Sequence, residues 1–319
     1  VEKMADKILL AQQFIDEGHP QDTVLRLMGI PKSTFYYKPS DESMKKGRPY
    51  SINTIKTDGS VVSNEDVVEH IKAILNEEFV DYGYLKTTHA LRQEYRYIIS
   101  PKKVYRLMGE CKLLNLPTKS KLTKREWVRE LVPKPVLHFS YLEFDIKYIY
   151  IKGKRRNALL ITVIDVYSRW VLGQYLSWQI RKGDVIKLFD QIFDTYTIPE
   201  KIFVRNDNGS QMIAQSVQKY FEKKQVTQEF TKPATPEQNA HIESYHSIIE
   251  RVICNRYEFE NLSDAGQTFN RFVKFYNYKR IHSGIEYLSP YKYLLSKGTE
   301  IKAETSTLDV LSLVRNKVA

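Results

Sequence analysis

The sequence predicts an α/β protein in which a mixed five-stranded sheet flanked by helices follows two small all-helical modules. Three observations carry that reading. Apolar residues recur at helical spacing through the first third of the chain. From His138 the pattern switches to strands, which then alternate with helices. Apolar residues make up 42% and aromatics 12% of 319 residues, enough for packed cores in roughly two domains and too many for wholesale disorder.

Lys and Arg number 49 against 38 Asp and Glu, a formal charge of +11. The excess is shared by the parts before and after Lys134, so it is not a basic tail on a neutral body. Such a balance points to a polyanionic partner, nucleic acid first. Cys111 and Cys254 are too few for a disulfide framework or a zinc-binding CxxC pair, and they suit a reducing cytoplasm. The apolar run at 159–164 is too short to span a bilayer, and the first residues lack the apolar core of a signal peptide. Val1 is no natural initiator, so Met4 is expected to be the true start.

Taken in order, residues 1–38 form the first module. A helical period over 5–18 ends at Gly18, a short one over 21–29 follows, and Pro31 opens a third with Ser33 and Thr34 in its first turn. That layout resembles a helix-turn-helix, which either contacts DNA or serves as a docking module. Residues 39–63 are polar and read as a linker. The second module, 64–116, has helical patterns over 65–78, 86–95 and 100–113. Ser100 is placed to cap the last of these, with Pro101, Lys102 and Lys103 in its first turn. Residues 117–134 are a basic connector carrying Lys119, Lys121, Lys124, Arg125 and Arg129. It is either a solvated tether or a segment that tracks a phosphate backbone.

The core spans 135–258. Strands over 142–151, 157–166 and 170–177 are joined tightly, the first turn carrying Lys152, Lys154, Arg155 and Arg156, so they predict an antiparallel meander. A helix over 181–196, a strand over 201–207, a helix over 210–224, a strand over 227–231 and a long helix over 237–256 follow. The order βββαβαβα is that of the ribonuclease-H-like fold. The extension 259–319 is helical, with Phe269, Phe272, Phe275 and Tyr276 either packing on the core or meeting a second protomer.

Three carboxylates stand out among the acids. Asp145 interrupts the apolar first core strand, with Glu143 and Lys147 on its face. Asp207 ends a strand before an Asn208-Gly209 turn, where α/β sheets present ligand-binding groups. Glu243 lies on the polar face of the last core helix with Asn239, His246, Ser247 and Glu250. Carboxylates from two strands and a helix can hold Mg²⁺ or Mn²⁺, two ions with Asp145 as the bridge. Asn208, Gly209, Gln238 and Asn239 are expected to shape the site, the glycine by freeing its turn. Asp165 reads as a turn former or a partner of Arg169, Glu250 as a rival to Glu243, and His241 and His246 as packing residues or proton carriers.

The segments FDIKYIYI, VIDVYSRWV, IFVRNDNGSQ and PATPEQNAHIESYHSIIER, in that order, resemble the acidic-triad transposases and retroviral integrases. The 35 residues between Asp207 and Glu243 match the spacing of that group. YGYLKTTHALRQEYRYIISPKKVYRLMGECKL and FVKFYNYKRIHSGIEYLSPYKY narrow the resemblance to bacterial insertion-sequence transposases named after insertion sequence three, specifically their downstream-frame product. Many relatives carry a basic residue seven positions after the triad Glu; this chain departs with Glu250 there, followed by Arg251, which is counted among the expected DNA-binding residues. The zinc module of retroviral integrases is absent from the sequence.

The resemblance implies a polynucleotidyl transferase with Asp145, Asp207 and Glu243 as its metal-holding residues. Such an enzyme cleaves at transposon ends and joins the freed 3′-hydroxyl to another phosphodiester. It also implies double-stranded DNA and a second copy of the chain as partners, with an upstream-frame helix-turn-helix protein as a further one. Two other readings compete: a catalytically silent DNA-binding regulator, against which the intact acids speak, and a ribonuclease-H-type nuclease, which needs no DNA-binding modules.

Overall fold

The computed structural model describes residues 4–37, 50–115, 133–209, 211–231, 236–299 and 301. The connector residues Lys119, Lys121, Lys124, Arg125 and Arg129 lie outside them. The chain divides into two compact units, Val1–Ser51 and Ile52–Ala319.

In the first unit, α1 (Met4–Asp16), α2 (Gln21–Leu27) and α3 (Lys32–Phe35) enclose Ala11, Val24, Leu25 and Ile30. Gly18 and Gly29 follow the first two helices with φ of 95° and 66°, the left-handed geometry that ends a helix without a Cβ clash. The third helix is a single turn. Its Ser33 is exposed and its Lys32 pairs with Asp22 at 2.7 Å.

The second unit opens with a small antiparallel sheet, β1 (Asn53–Lys56), β2 (Val61–Ser63) and the later β3 (Tyr97–Ile98). The expected linker therefore ends in a hairpin, and the second module is not all-helical. Its turn is chemically specified: Asp58 accepts from the Ser60 backbone and hydroxyl, and Gly59 takes φ of 86°. Strand pairing, rather than an apolar period, defines these short segments, so periodicity did not reveal them. Ser63 caps α4 (Asn64–Asn76), α5 (Tyr84–Glu94) follows, and Ser100 caps α6 (Pro101–Glu110).

The main sheet is built from β4 (Tyr141–Ile151), β5 (Arg156–Asp165) and β6 (Val171–Ser177), then, after α7 (Lys182–Thr195), β7 (Ile202–Asn206), α8 (Gln215–Lys223) and β8 (Val226–Phe230). Its order is β6-β5-β4-β7-β8. The first three strands are antiparallel, whereas β7 runs parallel to β4 and β8 parallel to β7. That is the ribonuclease-H-like topology, with β4 at its centre. Even-numbered residues Leu142 and Phe144 pack with α7 and α8. Odd-numbered Ile149 and Ile151 share the opposite core with the following helices.

After β8 come a 3₁₀ turn (Pro236–Asn239), α9 (Ala240–Ile249), a π-helical turn (Glu250–Cys254), α10 (Leu262–Tyr278) and α11 (Pro290–Ser296). The long last helix of the core thus carries a π turn at its far end. The α10 aromatics Phe269, Phe272, Phe275 and Tyr276 are buried against α9 and the second module, so of their two expected roles the structure selects core packing. One continuous core joins Val67, Ile71, Leu91 and Met108 to Ile249, Val252 and Phe272. Among the described residues, no helix is long and apolar enough to cross a membrane.

Candidate active site

Because side chains alternate along a strand, β4 presents Glu143, Asp145 and Lys147 to α9 in succession. Glu143 is completely buried. Its carboxylate accepts the backbone N–H groups of His241 and Ile242, both at 2.9 Å, and the His241 Nδ1–H at 2.8 Å. The residue at the helix N-cap, Asn239, makes no capping bond, and its Oδ1 has no partner. A carboxylate from the sheet therefore caps α9, at the helix end where negative charge is favoured. Each bond to a charged acceptor contributes about 1.5–3 kcal/mol. The cap locks the helix carrying Glu243 to the strand carrying Asp145.

Asp145 sits two residues on. Burial, aided by the Asp207 charge, pushes its carboxyl up to about 6, against opposing pulls from the Ile146 N–H and Lys147. His246 Nδ1 lies 3.5 Å from Asp145 Oδ2. Burial first, then Lys147, drives that imidazole down to about 4, so it is neutral at pH 7. His246 follows Glu243 by three positions, which puts both on the α9 face turned toward Asp145. Lys147 in turn pairs with Glu250 at 2.8 Å.

Asp207 leaves β7 at its carboxyl end. Its Oδ1 accepts the Gly209 N–H at 3.0 Å, and a Cβ on Gly209 would meet that oxygen at 3.1 Å. The glycine is there for close approach, and its φ is not left-handed. Asn208 Nδ2 donates to the Thr231 carbonyl, which ties the loop to the end of β8. The Gln238 carbonyl accepts from Arg205 Nη1, an arginine also paired with Glu229. Of the amides expected to orient a ligand, Asn208 holds its loop to the β8 end.

Asp145 lies on β4 and Asp207 directly follows β7, the parallel neighbour of β4, while α9 meets Asp145 through His246. Among the described residues, no three His, Cys, Asp or Glu groups are already gathered at metal-ligating distance. Asp165, by contrast, is a turn former: it accepts from Phe139 N, Ser168 N and Ser168 Oγ, while the Arg169 guanidinium donates to the Val166 carbonyl. Sequence reasoning missed the Glu143 cap and the His246 contact. The only signal was parity, which put Glu143 on the Asp145 face.

The expected DNA-contacting residues fall in different surroundings. Lys154 and Arg155 are exposed at the β4–β5 turn, Lys152 pairs with Glu258, and Arg156 stacks on Trp178 at 4.5 Å. That turn is roughly 20 Å along the strand from Asp145. Lys102 is exposed, whereas Lys103 Nζ donates to the Asn53 carbonyl at 2.6 Å. Arg251 pairs with Asp81 at 3.0 Å.

Residues 138–236 and 224–290 match two family models, each described as an integrase core domain, and residues 63–121 match an HTH-like domain. The InsK protein of insertion sequence element IS150 from Escherichia coli K12 is 25% identical over 86% of this chain and 93% of its own. The transposase for insertion sequence element IS904 from Lactococcus lactis is 25% identical over 72% of this chain and 93% of its own. Among solved structures, a chain of the simian T-cell lymphotropic virus intasome has a TM-score of 0.43 at 12% identity, over 70% of this chain and 73% of that one. Residues 138–290 are thus covered by matches to integrase core domains. The match to an HTH-like domain precedes them, and insertion-sequence transposases are among the chain's relatives.

Proposed function

We infer that this chain is a DNA transposase that cleaves at transposon ends and transfers the freed 3′-hydroxyl to another phosphodiester. The observation that carries this reading is the placement of half-buried Asp145 on β4 against α9, through His246 at 3.5 Å, with Asp207 directly following β7, the parallel neighbour of that strand. Burial and the Asp207 charge disfavour the ionised form of half-buried Asp145, which a bound cation would favour, and oxygen donors suit Mg²⁺ or Mn²⁺. Asp145, Asp207 and Glu243 would hold the ions, Asp145 as the bridge. When bound, two such ions stabilise the attacking and leaving oxygens of phosphodiester displacement.

The chain's own residues do the positioning. Glu143 fixes the helix, Gly209 lets Asp207 turn back on its own backbone, and neutral His246 packs beside Asp145 without neutralising it. Lys154, Arg155 and Lys102 are exposed and free to meet phosphates. Ser33 and Thr34 belong to the first module's contact with DNA, with Lys119, Lys121, Lys124, Arg125 and Arg129 on the connector between modules. Synapsis of two ends calls for at least two copies of the chain. A DNA substrate, two unpaired cysteines and bacterial relatives are the grounds for expecting the protein in the cytoplasm, at the nucleoid. An upstream-frame partner has no support in these observations.

The deciding experiment is Mn²⁺-dependent joining of an end-sequence oligonucleotide into a second duplex. Joined product supports the reading. Binding without chemistry would mark a silent regulator, and cutting without joining a nuclease.

A further inference from the structure

Away from the carboxylates, the second module and the chain after α9 enclose a cleft of about 340 Å³. Its floor is the start of α5. The N-cap there is Gly83, with no side chain to bond the first-turn N–H groups of Tyr84, Leu85 and Lys86. Lys86, Arg251 and Arg280 line the cleft, against Asp81 as the one carboxylate among its described lining residues.

That carboxylate is already committed. Arg280 Nη2 meets Asp81 Oδ1 at 2.6 Å, and Arg251 reaches Oδ2 from Nη2 at 3.0 Å and from Nε at 3.1 Å. Burial opposes ionisation of Asp81, but Arg280, then Arg251 and Lys86, hold its carboxyl below the ordinary range. Arg280 is only 1% exposed, and its Nε and Nη1 have no hydrogen-bond partner. Lys86 makes no ion pair among the described residues, and burial, with Arg280 and Arg251 nearby, pushes its ammonium down to about 8. An internal brace needs one guanidinium on one carboxylate. Three cations and an uncapped helix end exceed that need and leave a local positive surplus.

We propose that this cleft seats one phosphate of the DNA backbone. The first-turn N–H groups of α5 cradle the phosphate, Lys86 and Arg251 contact it, and Arg280 supplies fixed charge from behind. The inference rests on the transposase reading and names where its DNA is gripped. Arg251 follows Glu243 by eight residues on one helical rod, about 12 Å along the axis. That spans roughly three to four base pairs, so one duplex end can reach both places.

The test uses the full chain and a duplex of mixed sequence, with affinity followed against salt concentration. Lys86→Gln should weaken binding to all sequences alike and reduce the salt slope by about 0.9, with Arg251→Gln acting in the same direction. Lys86→Arg should retain both affinity and slope. Inorganic phosphate without DNA should raise the Tm of the wild type and leave Lys86→Gln unchanged. Wild-type slope and affinity in folded Lys86→Gln would overturn the proposal. So would stabilisation by phosphate with no change in DNA affinity, which would mark a small-anion site only. If the wild type binds and joins DNA but the slope does not move, the cleft alone fails. If the wild type binds no duplex, the transposase reading fails with it.

Discussion

Two pairs of carboxylates on one sheet teach opposite lessons. Glu143 and Asp165 are the more deeply buried, yet both are surrounded by donors: two backbone N–H groups and an imidazole for one, two backbone N–H groups and a hydroxyl for the other. Asp145 is half-buried and Asp207 exposed, each with one backbone N–H donor, and the Asp207 charge helps raise the Asp145 carboxyl. A buried carboxylate matched by donors is scaffold, because its bonds fix a turn or a helix end and offset part of the lost hydration. A carboxylate disfavoured both by burial and by a second negative charge is one that a bound cation would favour. The depth of a carboxylate therefore says less about its role than what surrounds it.

The largest effect expected from that contrast is at the second pair. Asp207→Asn, Asp145→Asn and Glu243→Gln should each reduce cleavage and joining to background in a gel assay, since one ion pair serves both steps. Duplex binding should persist in all three. Asp207→Asn that joins ends at the wild-type rate would sink the site.

Next comes the scaffold side. Glu143→Gln places an amide NH₂ among the donors of α9, and should cost about 2–4 kcal/mol in urea unfolding. It should also raise the Mn²⁺ concentration needed for half-maximal joining, because Glu243 is less well held. Normal stability with normal Mn²⁺ response would remove Glu143 from the argument.

Asp165 allows a smaller check by pH. Burial pushes its carboxyl up to about 6 from an ordinary 3.8, in spite of its hydrogen bonds. The folded state then binds the proton more tightly, so this group lowers stability as pH rises from about 4 to 6, by about 3 kcal/mol in all. Asp165→Asn should flatten that part of the stability profile while leaving joining measurable. An unchanged slope would mean that the three donors hold the carboxylate ionised.

The smallest effect belongs to Glu250. Its pair with Lys147 is half exposed, so Glu250→Gln should shift stability by less than about 1 kcal/mol and leave joining intact. Loss of chemistry there would reopen its rivalry with Glu243.

Local pattern made much of this protein legible. The period-two alternation of β4, the meander after it and the βα alternation beyond follow from side-chain parity and apolar spacing, which neighbouring residues dictate by themselves. The same parity put Asp145 and Glu143 on one face, and the end of β7 put Asp207 at the sheet's carboxyl edge. The short hairpin at 53–63 escaped, because its stability comes from pairing with Tyr97–Ile98 some forty residues away.

What only the tertiary structure decided is which charge is answered by which group. Glu143 meets the α9 N–H groups 98 and 99 residues later, and Asp81 meets Arg280 nearly two hundred residues later. Sequence determined the elements, the faces they present and the order of the acids, since those depend on bonds and contacts within a few residues. Folding determined burial and partnership, since desolvation and Coulomb energy depend on distances through space that no local pattern encodes.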